Sequence, residues 1–104
     1  MAPHMTHFKM QAKPGERQDV IDLFDEWARK RRQQASGFVR LVLCSHFDDP
    51  DQFMAYAMFA DKTTYDANSA SAEQDEWFKR LRSHLVDNPD WFDGVVEMQR
   101  MGQV

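Results

Sequence analysis

The chain has 104 residues, of which 42% are hydrophobic and 12% aromatic, and a formal net charge of -4. This composition supports one globular domain with a modest core, excludes a disordered tail, and offers no field of one sign to nucleic acid or an anionic membrane. No apolar run approaches the roughly 20 residues of a membrane helix, and the single cysteine, Cys44, allows no internal disulfide, so the chain reads as cytoplasmic.

Residues 1–5 are set apart as an N-terminal extension, and 6–104 are taken as the domain. In that domain Phe8, Met10 and Ala12 alternate with His7, Lys9, Gln11 and Lys13, the period of a half-buried strand that Pro14-Gly15 ends. From Glu16 to Gln34, Val20, Leu23, Phe24, Trp27, Ala28 and Arg31 recur at helical spacing. Acids lead this helix and the run Arg29 to Arg32 closes it, as the helix dipole favours.

Gly37 restarts the chain as a strand in which Val39, Leu41 and Leu43 are expected on one face and Arg40, Val42, Cys44 and His46 on the other. The acidic turn Asp48 to Asp51 reads as a solvated hairpin, since it lacks the glycine and distal glutamate of a calcium loop. In the next strand Phe53, Ala55, Ala57 and Phe59 point one way and Met54, Tyr56 and Met58 the other. Neither face is polar, so both are expected to be covered, and the chain has no spare element for the second.

Asp61 caps a short helix through Asn68, and Ser71 followed by Gln74 is a capping-box pattern for a longer helix that buries Trp77, Leu81 and Leu85. Asn88-Pro89 stops that helix, and Trp91 to Arg100 reads as the last strand. The order is β-α-β-β-α-β, an α+β ferredoxin-like arrangement with a four-stranded antiparallel sheet.

The chain from Thr6 to Met101 resembles the antibiotic biosynthesis monooxygenase-type members of the dimeric α+β barrel superfamily. The likeness rests on Pro14-Gly15, Gly37-Phe38-Val39, the turn Asp49-Pro50-Asp51-Gln52-Phe53, Phe59-Ala60-Asp61-Lys62 leading to Tyr65, and Ser71-Ala72-Glu73 before Trp77. It implies a homodimer whose two sheets meet across a two-fold axis, covering Met54, Tyr56 and Met58. It also implies oxidation of a small aromatic or polyketide-like substrate by dioxygen, without metal or flavin, because the aromatic ring stabilises the anion.

In such proteins the substrate lies between the helices and the sheet. The matching candidates here are Trp27, Arg31, Phe53, Ala55, Phe59, Trp77 and Leu81 for binding, and Tyr65 and His84 for catalysis. Tyr65 matches the family's tyrosine at the start of the short helix and would orient the substrate oxygen and stabilise its anion. His84, three residues after Leu81, sits at the edge of the buried helix face as a candidate proton acceptor. Arg31 would either snorkel from the helix end or hold an anionic substrate group. Phe59 stands where the family often carries a tryptophan, and Ala55 where it often carries an asparagine. Two other readings of the fold are a dimer that binds a small molecule without chemistry and a haem-degrading enzyme. For the latter, the ligating histidine's place falls on Trp77 or Phe78, which implies no haem.

Overall fold

The computed structural model describes residues 2–34 and 37–102, with the side chains of 31–34 excepted. The elements run β1 (His4–Gln11), α1 (Arg17–Gln34), β2 (Phe38–Ser45), β3 (Gln52–Phe59), α2 (Lys62–Ser69), α3 (Ala72–Ser83) and β4 (Asp90–Val95). The strands form one antiparallel sheet in the order β2-β3-β1-β4. This is the ferredoxin-like α+β fold, with the second helical segment divided in two.

The division follows from two caps. Asp61 accepts from the Thr64 backbone N–H while the Thr64 hydroxyl interacts with the Asp61 backbone, closing a capping box at the start of α2. Ser71 accepts from the Gln74 backbone N–H and opens α3. The Gln74 side chain, expected to reach back toward Ser71, accepts instead from Trp27 Nε1 at 2.7 Å.

Phe8, Met10, Phe53, Ala55, Ala57 and Phe59 of the sheet pack against Val20, Leu23, Phe24 and Trp27 of α1 and Trp77 and Leu81 of α3, forming the core. The strand period accounts for the sheet's contribution, since residues i and i+2 share a face. β1 reaches back to His4, inside the segment that the sequence sets apart, and His4 pairs with both Phe59 and Val95.

Two expectations for the strands are corrected. Val39 does not join Leu41 and Leu43 on the helix side: the β2–β3 register shifts between Phe38 and Arg40, leaving Val39 54% exposed while Phe38 packs on the core. The last strand ends at Val95 rather than Arg100, because its partner β1 begins at His4, directly opposite Val95. One further bond, from Val96 N to the Pro3 carbonyl, follows the ladder.

The sheet's other face carries Met5, His7, Met54, Tyr56, Met58, Val42 and Phe92. Among the described residues, no helix or strand lies over it. His7 stacks between Tyr56 and Phe92, with ring centroids 5.3 and 4.7 Å away, and Phe92 is still 63% exposed.

Gly37, immediately before β2, lies against the start of α2. Its φ is +95°, and a Cβ placed there would lie 2.6 Å from Thr64 Cγ2. The left-handed backbone alone costs a non-glycine residue about 1 to 2 kcal/mol, and the contact adds to that. Gly37→Ala is therefore expected to lower stability by at least about 1 kcal/mol in chemical denaturation, with an unchanged far-UV spectrum.

Candidate functional site

A cavity of about 300 Å³ opens between the sheet and the helices. Phe8, Phe24, Trp27, Phe59, Trp77 and Trp91 form its apolar walls, and Ala57 its floor. Two ring pairs meet edge to face, Phe24 on Trp77 at 5.1 Å and Trp27 on Phe59 at 6.3 Å, and the other wall rings meet tilted. That geometry fixes the rings without filling the space between them. Trp27 and Trp77 are also anchored by their indole N–H groups, which donate to Gln74 Oε1 and to the Leu23 carbonyl respectively.

One end of the cavity is polar. Thr6 from β1 and Tyr65, Asn68 and Ser69 from α2 line it. Thr6 Oγ1 and Asn68 Oδ1 are both buried and complete no well-formed hydrogen bond. Such atoms cost about 1 to 3 kcal/mol each when left unpaired, so they mark a place suited to a ligand's polar group.

Behind Tyr65 lie His4 and Asp93. The His4 and Tyr65 rings stack with centroids 4.1 Å apart, and His4 Nε2 is 3.5 Å from Asp93 Oδ1. Asp93 pairs with Thr6 across the β1–β4 ladder, so strand register brings the carboxylate to this end. Burial pushes the Asp93 carboxyl up, but the Thr6, Tyr65 and His4 donors together outweigh it and hold the group below the ordinary value. The Tyr65 phenol is raised, chiefly by burial; Thr6 and Ser69 pull it down, and the Asp93 carboxylate pushes it up again. At neutral pH Tyr65 is therefore a phenol beside a carboxylate.

Residues 3–80 match the family described as antibiotic biosynthesis monooxygenase. The chain belongs to the antibiotic biosynthesis monooxygenase family. Solved structures of similar fold include a variant of SnoaB, a cofactor-independent oxygenase from Streptomyces nogalater, at 15% identity and a TM-score of 0.83, covering 95% of this chain and 97% of that one. A conserved protein from Methanosarcina mazei matches at 17% identity and a TM-score of 0.80, over 90% and 92% of the two chains. A protein of unknown function from Nitrosomonas europaea matches at 16% and 0.77, over 100% and 98%. No curated protein shows a significant match. At these identities the solved structures establish the fold alone.

Within this antibiotic biosynthesis monooxygenase fold, Trp27, Phe59, Trp77 and Tyr65 come together at the cavity. Ala55 does not line it: fully buried and opposite Phe8 and Leu43, it serves close packing, and Ala57 takes the floor. Phe53 is buried at the other end of β3, with the Arg17 guanidinium 5.7 Å from its ring centroid, and Leu81 is core. The Arg31 side chain lies outside the described residues. His84 caps the end of α3, its Nδ1 2.8 Å from Glu16 Oε1 and 3.9 Å from Asp19 Oδ2, and is not among the cavity's walls. Glu16, Asp19 and His84 have ligand atoms within 4.8 Å of one another, the spacing a metal would need, and the His84 contacts join the start of α1 to the end of α3.

Thr6, His4, Asn68 and Asp93 were not singled out from the sequence. A signal was present for two of them: Thr6 interrupts the apolar set Phe8, Met10 and Ala12, and Asp93 shares a face with Trp91 and Val95. Because Asp93 raises the Tyr65 phenol, Asp93→Asn is expected to lower the pH at which Tyr65 ionises, while burial keeps it above the ordinary tyrosine value. Ultraviolet titration in a Tyr56→Phe background, which leaves Tyr65 as the one remaining tyrosine, measures this.

Proposed function

We propose that the protein is a cofactor-independent monooxygenase of a small aromatic substrate. The observation that carries the reading is the aromatic-walled cavity of about 300 Å³ ending on the buried, unpaired Thr6 and Asn68 oxygens beside Tyr65. Ligand sites typically combine a mostly apolar wall with a few convergent polar atoms. Membership of the antibiotic biosynthesis monooxygenase family supports the choice of chemistry, and SnoaB supplies one oxygenase of similar fold.

In this reading the substrate ring lies against Trp27, Trp77 and Phe59, with its oxygen at Tyr65. Loss of an activated C–H or phenolic proton leaves an anion that the ring delocalises. The anion passes one electron to dioxygen, the two radicals combine, and loss of water leaves a carbonyl of a quinone. The protein contributes a dry pocket, orientation, and a hydrogen bond at the oxygen where charge develops.

Losing one such hydrogen bond typically costs about 2.7 to 4 kcal/mol of transition-state stabilisation, so Tyr65→Phe should slow oxygen uptake with anthrones or hydroquinones about a hundredfold or more and leave the melting temperature little changed. Binding of these compounds without oxygen uptake would replace the enzyme by a binding module.

We also propose that the protein is a homodimer joined through the open sheet face, with Met54, Tyr56 and Met58 at its centre. The support is the apolar row on that face, where Met58 is buried within the chain but Met54 and Tyr56 are only half-buried and Phe92 and Val42 are exposed beside them. Light scattering is expected to give twice the chain mass at micromolar concentration, and Tyr56→Asp to give a monomer by placing a charge in the contact.

A further inference from the structure

The segments on either side of His84 are tied by backbone bonds to the chain that leads into α1. The Lys13 N–H donates to the His84 carbonyl at 2.9 Å, the Val86 N–H donates to the Gln11 carbonyl at 2.9 Å, and Ala12 bridges to Leu85. Three side chains that can ligate a metal meet at this junction. The Val20 N–H donates to the Glu16 carbonyl at 3.3 Å, so Glu16 belongs to the opening turn of α1, and Asp19, three residues on, shares its face. His84, the C-cap of α3, holds Nδ1 2.8 Å from Glu16 Oε1 and 3.9 Å from Asp19 Oδ2.

Hydrogen bonding alone does not account for all three. A neutral imidazole carries one ring hydrogen; placed on Nδ1 it serves Glu16, and Asp19 Oδ2 at 3.9 Å is beyond hydrogen-bond reach. Among the described residues, no lysine or arginine pairs with either carboxylate, so two anionic groups converge on one nitrogen without a fixed cation between them. A divalent ion satisfies all three at once. Ligands bound at roughly 2.1 Å in a tetrahedral shell stand about 3.4 Å apart. The two observed distances straddle that value, so each carboxylate needs to shift by only roughly half an ångström.

We propose that Glu16, Asp19 and His84 form a zinc site that clasps the start of α1 to the end of α3, with His84 Nδ1 and one oxygen of each carboxylate as ligands and water completing the shell. The metal takes the lone pair of Nδ1, and the ring hydrogen then sits on Nε2. One imidazole with two carboxylates suits zinc rather than calcium, which takes about six to eight oxygens. All three side chains are partly exposed, so an ion reaches them from solvent without opening the fold. None of the three lines the aromatic cavity, so the ion is structural and takes no part in the oxidation proposed above. It secures the two helices that carry Trp27 and Trp77, and it stands or falls independently of the reaction.

The test is calorimetric titration of the full chain with zinc chloride, after EDTA treatment and dialysis. It is repeated in Cys44→Ser, because the exposed Cys44 thiol and the His46 imidazole, two residues apart, are the competing zinc ligands on the surface. One zinc per chain, saturating at micromolar zinc, is expected in both proteins, with a melting temperature that rises as zinc is added. Long-range proton–nitrogen NMR should show the Nδ1 resonance of His84 moving with the same saturation. Losing even a hydrogen-bonded neighbour of a metal ligand costs about 10- to 100-fold in affinity, so His84→Ala should weaken binding about a hundredfold or more. Asp19→Asn and Glu16→Gln, which keep the size and remove the charge, should each weaken it about tenfold or more. Melting without zinc shows which variants are folded, and if His84→Ala is not, the two carboxylate variants and the NMR shift decide. The proposal is overturned by an absence of saturable binding, by half an ion per chain, or by an affinity indifferent to His84→Ala or to Asp19→Asn. Loss of binding in Cys44→Ser, or displacement of zinc by an equal concentration of calcium, overturns it as well.

Discussion

The bond from Trp77 Nε1 to the Leu23 carbonyl, 2.9 Å long and buried, sets the distance between the two long helices. An indole N–H has only donor capacity, and burying it unpaired is costly, so α3 can approach α1 only where an acceptor is available. Trp27 returns the arrangement by donating to Gln74 at the start of α3. The two tryptophans thus act as struts as much as filling. With the helices held at this spacing, the sheet beneath Leu81 and Leu85 is packed tight, and the end over Ala57 and Thr6 is left with a cavity.

That division explains which parts of the molecule the sequence could disclose. The strands, helices and caps follow local rules, and period two, period 3.6, Asp61, Ser71 and Pro14-Gly15 were enough to order them. The departures arise where one element depends on another. Val39 loses its place to Phe38 because of a bulge against β3, and β4 stops where β1 has no more residues to pair. Neither cause is written in the segment it affects.

The site divides in the same way. Tyr65, Trp27, Phe59 and Trp77 belong to apolar or family patterns and were legible. Ala55 and Ala57 are indistinguishable as mid-strand alanines, and only register decides that Ala55 meets Phe8 while Ala57 meets Thr6. His84 looked well placed on helical spacing, yet at the end of α3 it turns to Glu16. His4 and Asp93 are 89 residues apart, and their meeting depends on β1 beginning as early as it does and pairing with β4 on its outer side.

The polar end of the cavity breaks the rule that the rest of the core obeys. Threonine at position 6 and aspartate at position 93 face each other on the helix side of the sheet, where Phe8 opposite Trp91 shows what packing alone would choose. A valine and a leucine there would remove a buried unpaired hydroxyl and a carboxylate held partly out of water, so stability alone gives no reason for the present pair. Local rules are violated most often where a site needs polarity. The same strand position that weakens the core also places the Asp93 carboxylate behind the one tyrosine that lines the cavity, and chemistry at that tyrosine is what such a pair can serve.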